Sequence, residues 1–132
     1  PTAYTAQKIA ATEHVPGRMF AKVVMATTNG DLVMLVLPAP SVVDVDKVAE
    51  VVGEDVRLAS ESEFATTFAD CEPGAMPPFG NLYGMDVFVA KRLSLDDEIA
   101  FNAGTHTELM RLLYKDFERL VEPKGVEFSV RR

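Results

Sequence analysis

A pair of apolar segments joined by a tight turn constrains the fold of this chain more than any other feature. Residues 21–27 and 32–37 are both of strand length, and the second is an unbroken apolar run. Asn29, Gly30 and Asp31 lie between them, and asparagine and glycine tolerate the positive φ angles of a two-residue hairpin turn. Because an unbroken apolar run is typical of a strand buried on both faces, the sequence predicts a central β-hairpin.

The N-terminal segment has the pattern of an amphipathic helix. Thr5 is a favourable N-cap, because its hydroxyl group can accept a hydrogen bond from a backbone N–H of the first turn. Three apolar residues, Ala6, Ile9 and Ala10, then recur at helical spacing. We therefore expect a first helix over residues 5–14.

Two later segments also predict helices. Residues 44–52 carry valine and alanine at helical spacing, and Gly53 follows as a C-terminal cap. Ser60 and Glu63 form a capping box, in which the two residues each satisfy a free backbone N–H of the first turn. We expect this third helix to end near Ala69.

The remaining apolar segments are short and predict strands at residues 56–59, 85–90, 99–103 and 126–130. Between the last two, the apolar residues of 107–121 fall on one stripe, so periodicity predicts a single helix there. No repeat or linker interrupts the 132 residues, a length that fits one domain.

Composition restricts the classes of function. The formal net charge of −7 argues against a broad basic face for nucleic acid, although a small site for one end of a nucleic acid stays open. No apolar run approaches the roughly 20 residues that span a bilayer, and the N-terminus lacks a signal-peptide pattern. One cysteine and two scattered histidines argue against a structural metal site. The single cysteine also suits a reducing compartment. We expect a cytoplasmic protein without a cofactor.

The segment at residues 74–84 is both conformationally restricted and apolar. Three glycines and two adjacent prolines rule out a helix or a regular strand. Its apolar side chains, Met76, Phe79, Leu82 and Tyr83, are nevertheless unusual for a solvated loop. Such a segment either packs as an Ω-loop over one end of the core or lines a ligand site.

Two further features could carry chemistry. Lys22 lies within the apolar strand at residues 21–27, where it either reaches solvent from an edge or holds an anion such as phosphate. A second strand runs into Asn102, Gly104 and His106, which present polar groups at a strand end. The histidine there can act in catalysis or have a structural role.

A thiol site is the weaker alternative. Cys71 could serve as a nucleophile with His106 or His14 as base, but no local signature supports this, and a small buried cysteine is the simpler interpretation. Glycines 74, 80 and 84 match neither a P-loop nor a dinucleotide fingerprint.

The chain resembles the YbaK/prolyl-tRNA-synthetase-associated editing domain family over nearly its whole length. Four motifs occur in the order and at about the spacing of that family: Tyr4-Thr5-Ala6-Gln7, Ala21-Lys22, Gly74-Ala75-Met76-Pro77-Pro78-Phe79-Gly80 and Phe101-Asn102-Ala103-Gly104-Thr105-His106. The resemblance implies a single α+β domain with a mixed, barrel-like β-sheet flanked by helices. It also implies hydrolysis of the ester of mischarged aminoacyl-tRNA, in trans or as an insertion in the synthetase.

The resemblance carries over residue by residue. Lys22 matches the strand lysine that is implicated in holding the tRNA acceptor end. Gly74 and Pro78 match a GxxxP loop whose backbone positions the aminoacyl ester. The strand-end motif is matched by Asn102, Gly104 and His106. The resemblance also implies a strand over residues 107–113, with only residues 115–121 helical.

The same resemblance predicts which groups of the loop face the ester. We expect the backbone rather than the side chains, because Gly74 has no side chain and Pro77 and Pro78 have no N–H group. The candidate donors are the N–H groups of Ala75, Met76, Phe79 and Gly80. Phe79, Leu82 and Tyr83 are expected to anchor the loop in the core.

Two departures from the family pattern stand out. Members usually carry a helix and a strand before the Thr-Ala motif, and this sequence starts at Pro1 without them. The net charge of −7 is unusual for a tRNA enzyme, so a partner or a parent synthetase could supply the contacts to the acceptor stem.

We therefore expect a metal-free, trans-editing aminoacyl-tRNA deacylase, with tRNA for proline as one candidate substrate. The alternative is a non-catalytic binding module of the same fold that recognises an aminoacyl or nucleotide end. A thiol-dependent hydrolase using Cys71 is a third possibility. The candidate catalytic residues are Lys22 and His106. The candidate substrate contacts are Ala6, Ile9, Gly74, Ala75, Met76, Pro78, Phe79, Gly80, Asn102 and Gly104.

Overall fold

The computed structural model describes residues 6–7, 19–72 and 74–131. The strands are β1 (Ala6–Gln7), β2 (Ala21–Thr28), β3 (Asp31–Pro38), β4 (Ser41–Val43), β5 (Val56–Leu58), β6 (Val87–Ala90), β7 (Glu98–Asn102), β8 (Leu109–Leu113), β9 (Lys124–Val126) and β10 (Ser129–Arg131). The α-helices are α1 (Val45–Val52), α2 (Glu61–Phe64) and α3 (Tyr114–Val121). Two 3₁₀ helices span Gly80–Tyr83 and Lys91–Leu95.

The predicted hairpin lies at the centre of the fold. β2 and β3 pair antiparallel along their whole length and end with Thr28 opposite Asp31. Asn29 and Gly30 form the turn with φ angles of 53° and 84°, the left-handed values that this turn needs. Residues 33–38 of β3 are all buried, so the prediction of a strand buried on both faces is confirmed.

The strands form a mixed, curved sheet system. The largest sheet has the order β5-β2-β3-β6-β9, in which β3, β6 and β9 are parallel and β2 is antiparallel to both of its neighbours. A second sheet, β1-β8-β7, is antiparallel, and β10 pairs with β4. A parallel bridge between Phe20 and Ala100 connects the start of β2 to β7. This α+β architecture, with helices beside a barrel-like sheet, confirms the expected fold class.

Alternation along β2 divides the interior into two apolar clusters. Ala21 and Met25 point to one face and pack in a cluster that includes Phe101 from β7. Ala26 points to the other face and packs in a cluster that includes Val48 of α1 and Phe128. Because side chains alternate strictly in a strand, the register of β2 assigns every neighbouring element to one of these two faces.

Helix α1 is capped at both ends, and the predicted C-terminal cap at Gly53 is confirmed. The Asp44 side chain accepts hydrogen bonds from the backbone N–H groups of Asp46 and Lys47 at the start of α1, at 3.2 and 3.4 Å. Gly53 ends α1 with φ of 80°, and its N–H donates to the Ala49 carbonyl.

Within the described residues, no helix is long and apolar enough to cross a membrane.

The helix predicted to run from the capping box to Ala69 is too long. The capping box of Ser60 and Glu63 is present, but α2 has a single turn, and the chain continues through residues 65–70 in turns. Thr66 and Thr67 are β-branched and have low helix propensity, which favours this early end.

Glu63 also pairs with Arg57, which lowers the pKa of the Glu63 carboxyl group to about 2.

The N-terminal helix prediction is wrong where it can be compared. Ala6 and Gln7 form β1, paired with Met110 and Leu109 of β8. Pairing with a strand distant in the sequence therefore outweighs the local preference for a helix that the Thr5 cap indicated. The rest of the predicted helix, including Ile9 and Ala10, lies outside the described residues.

The single helix predicted over residues 107–121 is also wrong. Residues Leu109–Leu113 form β8, and only Tyr114–Val121 are helical, as the family resemblance implied. Leu109 and Leu112 share a helical stripe in the sequence, yet they point to opposite faces of β8 and are both buried. A strand with neighbours on both sides and apolar cover on both faces can mimic a helical pattern.

The strand predicted over residues 126–130 is two strands. β9 pairs parallel with β6, whereas β10 pairs antiparallel with β4 in another sheet. Between them, Phe128 is fully buried in the second cluster, and its carbonyl accepts a hydrogen bond from the Asp44 N–H at 2.7 Å. The buried ring thus lies where the chain passes from one sheet to the other.

The loop at residues 74–84 anchors one part of its apolar surface in the core. Met76 is 5% exposed. The ring of Phe79 meets the rings of Phe101 and Phe117 edge-on, with centroid distances of 5.6 and 6.3 Å. These contacts connect the loop to β7 and α3, in agreement with the Ω-loop-like anchoring that was expected of Phe79.

The tip of the loop is less buried than the part around Met76 and Phe79. Leu82 is 77% exposed, so its expected role as an anchor is wrong. Tyr83 packs on Phe68 with a centroid distance of 4.5 Å. Gly80 has no room for a side chain, because a Cβ atom there would lie 2.9 Å from Cγ of Met85.

Two substitutions in this loop test the difference in packing between Phe79 and Leu82. Phe79→Ala is expected to lower the free energy of unfolding by about 3 kcal/mol, the lower end of the range for a buried phenylalanine, because the ring is partly exposed. Leu82→Ala, at an exposed position, should change it by less than about 0.5 kcal/mol. Urea unfolding followed by circular dichroism measures both. Equal effects of the two changes would contradict the packing described.

Candidate functional site

The end of β7 and the start of the 74–84 loop are joined by backbone hydrogen bonds. The N–H of Gly104 donates to the Ala75 carbonyl at 2.9 Å, and the N–H of Glu72 donates to the Gly104 carbonyl at 2.7 Å. Gly104 has a φ of 101°, which only glycine adopts readily, and a Cβ atom there would lie 3.9 Å from Sγ of Cys71. Two segments predicted separately therefore form one junction.

The imidazole ring of His106 lies against Gly74. A Cβ atom built on Gly74 would be 3.5 Å from Cε1 and 3.9 Å from Nε2 of that ring. Gly74 has a φ of 81°, a conformation that favours glycine, and a Cβ atom there would be in ordinary van der Waals contact with the ring. The backbone N–H of His106 donates to a carboxylate oxygen of Glu72 at 2.7 Å.

Lys22 lies on the strand next to β7. The parallel bridge between Phe20 and Ala100 sets the register of the two strands, and alternation then puts Lys22 and Asn102 on the same face. This face is opposite to the cluster that holds the Met76 and Phe79 side chains. The predicted cation and the predicted strand-end amide thus lie on the same side of the bridge that connects the two sheets.

The backbone N–H groups of the loop are only partly available. Those predicted from Ala75 and Phe79 are already used, since they donate to the carbonyls of Glu72 and Pro77 at 3.0 and 2.8 Å. Those of Met76 and Gly80 make no backbone hydrogen bond to other described residues. Of the four candidate donors, Met76 and Gly80 therefore stay open for a ligand.

The other predicted substrate contacts differ in their surroundings. Ala75, Met76, Pro78 and Gly80 of the 74–84 loop are buried. Ala6 lies in β1, opposite Met110 of β8. Ile9 lies outside the described residues.

Cys71 does not have the properties of an activated nucleophile. Burial raises the pKa of its thiol group, and the neighbouring Asp70 carboxylate raises it further. Because the thiolate is the reactive form, this environment keeps the sulfur protonated at neutral pH. The pKa of Tyr83 is raised as well, by burial and by Asp70.

Sequence reasoning missed Glu72. Its carboxylate bonds to a residue 34 positions later, and no spacing rule connects the two. Only the adjacent Gly74 motif marks this region in the sequence. Among the described residues, no three His, Cys, Asp or Glu side chains are grouped as metal ligands would be.

A cavity of about 730 Å³ lies elsewhere on the molecule. Lys91, Arg92 and Tyr114 are among the residues that line it. The 3₁₀ helix that supplies the first two precedes β7, so this cavity is at the end of β7 opposite to Asn102. It is not part of the candidate site.

Comparisons with known proteins identify the family and the fold. The family model for the aminoacyl-tRNA editing domain matches residues 1–120. A structure of a protein proposed to be a trans-editing enzyme for prolyl tRNA synthetase has a TM-score of 0.83 at 15% identity, covering 96% of this chain and 87% of that one. The hypothetical protein APE2540 has a TM-score of 0.79 at 18% identity, covering 88% of this chain and 77% of that one.

A longer protein contains the same fold. A protein from Marinobacter aquaeolei VT8, proposed to act in signal transduction, has a TM-score of 0.83 at 14% identity. The match covers 97% of this chain but 28% of that one. At such low identities these likenesses establish the fold alone. No curated protein matches the chain.

The contact between Gly74 and His106 can be tested with a matched pair. Gly74→Val and Gly84→Val both place a β-branched residue at positive φ, so each should cost about 1–3 kcal/mol of stability. A Cβ atom at Gly84 meets nothing within 4 Å, whereas a valine side chain at position 74 is placed against the imidazole ring and changes its surroundings. The ring ¹H–¹³C signals of His106 should therefore move in Gly74→Val and stay unchanged in Gly84→Val. Similar shifts in both variants would contradict the contact.

Proposed function

The chain belongs to the aminoacyl-tRNA editing domain family, and on that premise we propose that it hydrolyses the ester bond of mischarged aminoacyl-tRNA in trans. The observation that carries the proposal is the junction at the end of β7. There the His106 ring lies against Gly74, and Asn102 shares a face with Lys22. Strand-end segments held by a rigid scaffold are common positions for reactive groups.

The reaction needs three elements. A water oxygen attacks the ester carbonyl carbon, the bond from that carbon to the ribose oxygen breaks, and the ribose oxygen takes a proton. The products are a free amino acid and an uncharged tRNA end. The protein must orient the water, fix the carbonyl group and stabilise the negative charge that develops on its oxygen.

The groups at the junction can be assigned to these tasks. His106 is the candidate base for the attacking water, with the free hydroxyl of the terminal ribose as the alternative. The N–H groups of Met76 and Gly80 are the candidate donors to the carbonyl oxygen, because those of Ala75 and Phe79 already donate within the loop. The Asn102 amide is a further candidate. These roles require neither a metal ion nor a cofactor.

Lys22 has a different task in the proposal. An ammonium group on the face of β2 that Asn102 shares is suited to a phosphate of the terminal nucleotide, as a point charge with three donors. It would anchor the acceptor end without forming a covalent bond to the substrate. The net charge of −7 leaves contacts to the rest of the tRNA to a partner, for which a synthetase is the candidate.

The choice of amino acid depends on the pocket that receives its side chain. One methylene group in such a pocket changes selectivity by only about 1–3 kcal/mol, so pocket size has to be tested directly. The protein proposed as a prolyl tRNA synthetase trans-editing enzyme shares this fold, which makes tRNA for proline the first substrate to try.

A panel of mischarged tRNAs tests the proposal as a whole. Release of the amino acid from at least one mischarged tRNA, including those built on tRNA for proline, is the expected result. Tight binding without hydrolysis would instead favour the non-catalytic module that recognises an aminoacyl end. The Cys71→Ser variant should retain full activity, and loss of activity in it would favour a thiol mechanism.

Lys22→Ala should weaken the reaction by reducing binding of the tRNA end. We expect kcat/KM to fall by about tenfold to a hundredfold, the range for one hydrogen bond to a charged group. Lys47→Ala, which removes an exposed lysine of α1, is the charge-matched control and should have little effect. Undiminished turnover of Lys22→Ala at subsaturating tRNA would exclude this role.

His106→Ala separates catalysis from structure. If the ring activates water, kcat should fall by about 10²-fold or more, while the fold stays intact. Turnover of the folded variant and its urea midpoint are measured side by side. A lowered midpoint with unchanged turnover per folded molecule would assign His106 a structural role.

A further inference from the structure

Glu72 is hydrogen-bonded to both segments of the junction. Its backbone N–H donates to the Gly104 carbonyl at 2.7 Å, and its carbonyl accepts from the Ala75 N–H at 3.0 Å. Its carboxylate accepts from the His106 N–H at 2.7 Å. One residue thus connects the start of the loop with the segment that follows β7.

The carboxylate bond is the part of this arrangement that depends on the side chain. Hydrogen bonds to an ionised acceptor are shorter and stronger than those between neutral groups. The backbone bonds of Glu72 and Ala75 fix Gly104, and the carboxylate extends the connection by two residues to His106. The ring of His106 would lie 3.5 Å from a Cβ atom built on Gly74. The backbone of His106 is therefore held at the same junction as its ring.

We propose that Glu72 is a positioning residue for the hydrolytic reaction, which sets the placement of the His106 imidazole through its backbone. This inference rests on the proposed function. The carboxylate does not need to touch the substrate for this role. A displacement of about 1 Å in a reacting group can cost on the order of 10²-fold in rate, so a single anchoring bond is sufficient to matter.

Two substitutions at position 72 separate the hydrogen bond from the charge. Glu72→Gln keeps an oxygen acceptor at the same distance along the side chain and removes the negative charge. Glu72→Ala removes both. Because each raises the net charge by one unit, any general change in tRNA attraction is common to the two. Glu54→Ala, at an exposed residue after α1, is the matched control for a lost charge at a distant place.

In the deacylation assay, Glu72→Ala should lower kcat by about tenfold to a hundredfold and change KM by less than about twofold. Glu72→Gln should stay within about threefold of the wild-type kcat. An unchanged kcat in Glu72→Ala would overturn the proposal. Equal losses in the glutamine and alanine variants would also overturn it, since the charge rather than the bond would then be responsible.

Amide hydrogen exchange provides a readout that does not depend on activity. The His106 N–H should exchange about tenfold faster or more in Glu72→Ala, and at nearly the wild-type rate in Glu72→Gln and Glu54→Ala. Unchanged protection in Glu72→Ala would overturn the anchoring role. If the wild-type protein hydrolyses none of the mischarged tRNAs, the proposed function fails, whereas exchange at His106 still decides whether Glu72 fixes this segment.

Discussion

The register of the β2–β3 hairpin determines where the rest of the structure lies. The turn at Asn29 and Gly30 places Thr28 opposite Asp31, and a slip of one residue would move every side chain of β2 to the other face. With the observed register, Met25 joins the cluster that also receives the 74–84 loop. Lys22 is left on the opposite face, which Asn102 of the neighbouring strand shares. The register set by this turn therefore puts the 74–84 loop and Lys22 on opposite faces of β2.

The candidate site depends on bonds between segments that are distant in the sequence. Gly74 and Gly104 adopt positive φ angles, which lets the loop and the segment after β7 approach each other and exchange backbone hydrogen bonds. The Phe79 ring, packed against Phe101 and Phe117, keeps the loop on the core at its other end. A reactive group placed on such a junction gains rigidity from the scaffold without being part of a regular element.

Sequence reasoning succeeded where local signals decide the structure. The hairpin turn and the caps of α1 and α2 depend on residues close in the chain, and all are present. It failed where pairing at long range decides. The segment Leu109–Leu113 is a strand because β7 and β1 flank it, although its own periodicity is helical, and family resemblance supplied the correct assignment. The contact of Gly74 with His106 and the bond of Glu72 to His106 had no local signal at all.

The charge of the protein restricts how it can recognise a polyanion. The net charge of −7 and the Asp70 and Glu72 carboxylates near the junction do not favour long-range attraction of a polyanion. At physiological salt, however, screening acts over about 8 Å, so a cation close to one phosphate still acts while distant carboxylates contribute little. Under the proposed function, recognition depends on the fit of the acceptor end and its ester, with Lys22 as the candidate local contact. A site of this kind favours a small footprint, which is what a single aminoacylated nucleotide end offers.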